Sequence, residues 1–198
     1  MTSRERTRAA GAMIAAALSL LLPTAAMAHV GVEAHGSFFS GLVHPLGGID
    51  HLAAMIAVGL WAAMIGGNRI WIWPAAFVGA MIGGGILGYS GVHIPFVEPT
   101  IAASALVLGL AIAFAVRAPI GIGVTLIAAA GIFHGHAHGM EAPAGDWLGY
   151  VAGFVLATAL LHAGGIAVGR VLKSDAGLIA ARALGGVTAV LGLVLLAQ

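Results

Sequence analysis

The stretch FHGHAHGMEAP, residues 133–143, sets His134, His136, His138 and Glu141 close together in a chain that is otherwise poor in polar side chains. A second stretch, HPLGGIDHL, carries His44, Asp50 and His51. Imidazole and carboxylate without thiolate suit Ni²⁺, Co²⁺ or Zn²⁺ better than Cu(I) or an iron–sulfur cluster. The chain has no cysteine, so any metal ligands must come from His, Asp, Glu, Met or the backbone. On a helix turning about 100° per residue, His134, His138 and Glu141 form one stripe, and His136 points nearly the opposite way. His44 and His51 have the same spacing as His134 and Glu141, so they are expected to share a helix face, with Asp50 about 100° round from His51. Pro45, Gly47 and Gly48 between them predict an irregular or broken first turn that would expose carbonyls as further oxygen ligands.

Composition says what must hold these groups. Of the 198 residues 61% are hydrophobic and 8% charged, with a mean hydropathy of +1.07, whereas soluble domains carry roughly 25% charged residues. So few charges cannot clothe a water-soluble globule, so the partner is a lipid bilayer and the fold class an all-α integral membrane bundle. A net charge of +1 argues against nucleic acid. Residues 1–28 read as a secretory signal peptide: Arg4, Arg6 and Arg8, an apolar run shorter than the ~20 residues a span needs, then Ala26-Met27-Ala28 as a cleavage site. Cleavage would leave His29 at the amino terminus; the alternative is an uncleaved first span. Residues 29–198 then form one membrane domain of six spans, at about 44–64, 70–88, 99–116, 119–139, 147–169 and 177–197.

With the mature amino terminus periplasmic, Arg69, Arg117, Arg170, Lys173 and Arg182 all fall at cytoplasmic ends, and Glu33, Glu98, Glu141 and Asp146 fall outside. Trp71 and Trp73 are expected at the inner interface, and Tyr89, Trp147 and Tyr150 at the outer one. Glycines at four-residue spacing, as in Gly79 with Gly83 and Gly84 with Gly88, predict close helix packing. At 1.5 Å per residue, Asp50, His51 and His134 lie level, ~10 Å below the outer surface. An aspartate in lipid costs ~2.5–3.5 kcal/mol on insertion scales, which marks Asp50 as functional. The amine and imidazole of His29 could chelate a divalent ion together, with His35 helping to deliver it, unless both lie in a solvated strand. His162, deep in the fifth expected span, is either a helix–helix hydrogen-bonding residue or an inner relay.

HPLGGIDH resembles the His-x₅-Asp-His motif of the HupE/UreJ family of bacterial nickel permeases. FHGHAHGME resembles that family's second signature, Phe-His-Gly-x-(Ala or Val)-His-Gly-x-Glu, and both agree at every defined position. The resemblance implies a non-enzymatic permease of the bacterial inner membrane. It would take up Ni²⁺, or in some members Co²⁺, for hydrogenase, urease or cobalamin biosynthesis, with no permanently bound cofactor. The positions matched to those needed for transport are His44, Asp50, His51, His134, His138 and Glu141; His136, His29 and His35 are secondary candidates. A metal sensor or accessory subunit of a larger transport system is the alternative, and self-association is left open. A di-iron membrane enzyme fits less well, because it needs more ligands, commonly on the cytoplasmic side.

Overall fold

The computed structural model describes residues 37–67, 70–143 and 145–198. The signal peptide, His29, His35 and Arg69 lie outside the described residues. All regular structure among the described residues is helical. α1 (Ser37–Val43) runs through a 3₁₀ turn (His44–Leu46) into α2 (Ile49–Ile65), followed by α3 (Ile72–Tyr89), α4 (Val97–Ala113), α5 (Ile120–Met140), α6 (Trp147–Val171) and α7 (Asp175–Leu196). Four of these helices, α3, α5, α6 and α7, are long and apolar enough to cross a membrane, and the α1–α2 pair makes a fifth if taken as one bent unit. α4, at 17 residues, is shorter.

The stretch expected as one helix over 44–64 is two, bent by 81°. Pro45 sits in the 3₁₀ turn, and Gly48 adopts an extended conformation (φ −109°, ψ 120°) before α2 begins, so the helical phase is lost between His44 and His51. They share no helix face, and the expectation that they do is corrected. Elsewhere the starts follow local chemistry. Asp146 caps α6 by accepting from Gly149 N–H at 2.8 Å, and Ser174 caps α7 by accepting from Gly177 N–H at 3.1 Å.

Glycine decides which helices touch. A Cβ on Gly84, Gly131, Gly135 or Gly139 would run into the facing backbone of the α3–α5 pair, Gly84 against Ile132 and Gly135 against Met81. Phe77 lies opposite Gly131 and Gly85 opposite Gly139, so the two helices run parallel. By the same contacts α2 lies along α6, with Gly59 on His162 and Gly165 on Ile56, and α4 lies antiparallel to α7 through Gly109, Gly185 and Gly192. α1 crosses the start of α6, with Gly41 on Tyr150 and Gly153 on Phe38. Without a hydrophobic drive between helices in lipid, such close approach supplies the packing energy. Gly79 and Gly83 meet nothing, so their spacing does not mark a contact within the bundle.

These pairings gather the end of α3, the start of α4, the end of α5 and the start of α6 at one end, together with α1 and the start of α2. That end carries both histidine motifs with Glu98, Glu141 and Asp146. The opposite end carries Arg117, Arg170, Lys173 and Arg182, and Arg182 Nε donates to Ala113 O at 2.7 Å, closing the last turn of α4. Two of the expected interfacial aromatics are instead core. Trp73 is buried, 4.3 Å from the Trp61 ring, and donates from Nε1 to Ile120 O. Tyr150 is buried behind His44 at 5.7 Å. An inward-facing aromatic near a helix end has the same sequence signature as a belt residue.

Candidate metal centre

Four imidazoles and a carboxylate converge at the histidine end. The bend before α2 lays His44 against the end of α5, with Nε2 3.1 Å from Glu141 Oε2. A carboxylate only accepts, so His44 Nε2–H donates, and this bond holds the Glu141 carboxyl below the usual carboxylate range. His138 Nδ1 lies 3.9 Å from the same oxygen. Donor atoms of His44, His138 and Glu141 all lie within 4.8 Å of one another. Across an ion with bonds of ~2.1 Å, two donors stand at most about 4.2 Å apart, so these three need only tighten by roughly half an ångström to share one.

His51 joins the group from α2. Its ring centroid lies 4.4 Å from that of His138 and 5.0 Å from that of His134, and the His44 ring lies 4.7 Å from His138. α2 lies on α6 and α5 lies on α3, so the two motif helices meet through their imidazoles rather than backbone to backbone. Asp50 Oδ1 accepts from both the backbone N–H and Nδ1–H of His51 at 2.9 Å. That fixes the tautomer and leaves His51 Nε2 as a bare lone pair. His134 is fixed in the same way: Nδ1–H donates to Ala130 O at 2.9 Å, leaving Nε2 bare. Within the cluster His51 Nε2, His134 Nε2 and both nitrogens of His138 are buried without a partner. Each such atom costs ~1–3 kcal/mol, and an arriving cation would remove that penalty at the three lone pairs, one each on His51, His134 and His138.

The clustered side chains are graded in depth. Side-chain exposure falls from 58% at Glu141 through 30% at His44 and 13% at His51 to 4% at His138, and His134 is fully buried. Phe154 lies 4.2 Å from His138, and Phe77 lies 5.4 Å from His134, forming the apolar wall. Gly48 leaves room for the Asp50–His51 pair, since a Cβ there would stand 2.8 Å from Asp50 Oδ1 and 3.0 Å from His51 Nδ1. His136 stands apart: it is buried on the other side of α5, where Nε2–H donates to Val92 O at 2.6 Å. It ties α5 to the α3–α4 connection.

The profile described as "HupE / UreJ protein" matches residues 7–195. The chain belongs to the HupE/UreJ family. It is 45% identical over 179 residues to "Protein HupE" of Rhizobium leguminosarum bv. viciae, covering 90% of this chain and 93% of that protein. No solved structure matches it.

Both signatures of this HupE/UreJ member meet at one spot. His136, at the position that the second signature leaves open, is the motif histidine that faces away. Sequence reasoning missed the lining residues Tyr150, Phe154 and Thr158, which with His162 form a four-residue ladder along α6. That spacing was present in the sequence, but in an almost wholly apolar helix an i, i+4 row of aromatics does not stand out from any other packed face.

Proposed function

We propose that this HupE/UreJ protein is a permease that takes up Ni²⁺, or Co²⁺, across the bacterial inner membrane without an ATPase subunit. The convergence of His44, His51, His134, His138 and Glu141 at one end of an apolar bundle carries this reading. Borderline nitrogen donors with one carboxylate fit these ions. On arrival the ion takes the place of the hydrogen bond between His44 and Glu141, and it then meets progressively more buried imidazoles. The graded exposure and the slack among the outer donors suit a conducting site, which must release what it binds. Asp50 acts behind His51, orienting the ring and raising its basicity. His29 and His35 would lie at the mature amino terminus, on the side where the ion arrives, and would deliver it.

The membrane arrangement follows the sequence. The signal peptide (1–28) is removed, and α1 with α2 forms one bent span. α3 to α7 supply five more, with the histidine end periplasmic. The concentration of Arg117, Arg170, Lys173 and Arg182 at the opposite end supports this orientation.

The test is ⁶³Ni²⁺ influx into proteoliposomes holding the purified mature protein, with His138→Ala and Asp50→Asn beside it and Co²⁺ and Zn²⁺ as competitors. Influx that both substitutions abolish is the expected result. Nickel binding by folded wild type with no influx would sink the permease reading and make the chain a sensor or accessory subunit.

A further inference from the structure

Below the outer cluster each of four helices steps inward by one turn, and the side chains there are not bland. On α2, Met55 follows His51; on α5, His134 precedes His138; on α6, Thr158 and His162 follow Phe154; on α3, Phe77 precedes Met81. Thr158 Oγ1 lies 3.5 Å from Met55 Sδ and 3.7 Å from Met81 Sδ. Its single hydrogen can serve only one of them, so the other thioether keeps its lone pairs free. One turn further in, His162 is 1% exposed and neither ring nitrogen has a partner. The Phe77 ring lies between the levels, 5.4 Å from His134 and 5.1 Å from His162.

Such a set is costly as core. Leucine in place of His162 would fill the space without burying an unpaired imidazole. We propose that Met55, Met81, Thr158 and His162 form a second, inner station for the metal ion, which it reaches from His134 past the Phe77 ring. This inference rests on the permease reading. His162 lies two helical turns beyond Phe154, about 11–12 Å deeper than the level of His138, so the station would carry the ion through the middle of the bundle. Thioether and imidazole lone pairs suit a borderline or soft cation and offer little to Mg²⁺ or Mn²⁺. The inner station would therefore add selectivity as well as passage, and its weak donors would release the ion onward.

The experiment measures two quantities on the same purified samples: ⁶³Ni²⁺ bound at equilibrium by dialysis, and the initial rate of ⁶³Ni²⁺ influx into proteoliposomes. The variants are His162→Leu and the volume-matched pair Met55→Leu/Met81→Leu, with His138→Ala as the outer-site control. The expected result is nickel binding within twofold of wild type in both inner variants and influx reduced tenfold or more. His162→Leu should also melt no lower than wild type, because it removes an unpaired polar group; a histidine kept only for structure would give a lower melting temperature with influx intact. Influx within twofold of wild type in both inner variants, with His138→Ala inactive, would overturn the inner station and leave the permease reading standing. Wild type that binds nickel but shows no influx would overturn both.

Discussion

At the scale of single residues, the site is organised by which ring nitrogen is already committed. Asp50 holds His51 and Ala130 O holds His134, each through Nδ1, so both present Nε2 inward. Replacing Asp50 by Asn removes the carboxylate behind His51, and Ni²⁺ affinity is expected to fall roughly 10–100-fold, read by equilibrium dialysis; unchanged affinity would remove Asp50 from the site. The pH dependence separates the imidazoles from Glu141. Hydrogen bonding from His44 holds the Glu141 carboxyl below its usual range, so it is ionised at any pH above that range, and it gains a proton only as pH falls through the lowered value. Imidazole must be neutral to bind metal, so each ring that gains a proton is lost as a ligand. Uptake should therefore decline on the acid side through imidazole protonation. Glu141→Gln should lower the rate at every pH without moving the midpoint of that decline, and a midpoint that shifts in this variant would assign the acid limb to Glu141. His136 makes the opposite case. His136→Leu leaves Val92 O unpaired, so about 1–3 kcal/mol of stability should be lost, read as a lower melting temperature in detergent, while folded protein still transports.

At the scale of helices, the positions of the imidazoles depend on backbones brought together by glycine. Gly135 lies between His134 and His136 on α5 and packs against Met81 O. Gly135→Ala should force α3 and α5 apart at an overpacking cost of ~1–3 kcal/mol and shift His134, lowering both thermal stability and uptake. Gly83→Ala, on the same α3 but facing open space, should leave both unchanged; equal effects from the two would mean that packing between these helices does not set the site. This pair also shows what the sequence can and cannot tell. Helix positions were readable from hydropathy to within a few residues, and the break before α2 from Pro45 and the glycines after it. Partners were not readable, because Gly79 with Gly83 and Gly84 with Gly88 have identical spacing on one helix, and only the second pair meets a neighbour. The site's residue types were likewise legible, whereas the role of Asp50 depends on a bond to the adjacent ring that no spacing encodes. The shared face expected for His44 and His51 failed because a seven-residue repeat has meaning only while the helix is unbroken.

At the scale of the whole molecule, the cations are segregated: Arg117, Arg170, Lys173 and Arg182 lie at one end with Asp175, whereas Glu98, Glu141 and Asp146 lie at the histidine end. If cations are retained in the cytoplasm, the histidine cluster faces the periplasm and every helix from α4 to α7 crosses the membrane in turn. α4 is the critical case, because its 17 residues sit at the short limit of the ~17–25 that span hydrocarbon. The absence of native cysteine allows single reporter thiols to be read without background. His93→Cys and Val116→Cys bracket α4, Pro143→Cys follows α5, Lys173→Cys follows α6, and Gln198→Cys follows α7. With a membrane-impermeant maleimide applied to intact spheroplasts, the thiols at 93, 143 and 198 should label, and those at 116 and 173 should label only after lysis. Labelling of both 93 and 116 from outside would mean that α4 enters and leaves by the same face. The bundle would then lose one crossing, and Lys173 would move to the periplasmic side against its charge. A fully inverted pattern would turn the histidine cluster toward the cytoplasm, where the same residues would serve efflux or sensing rather than uptake.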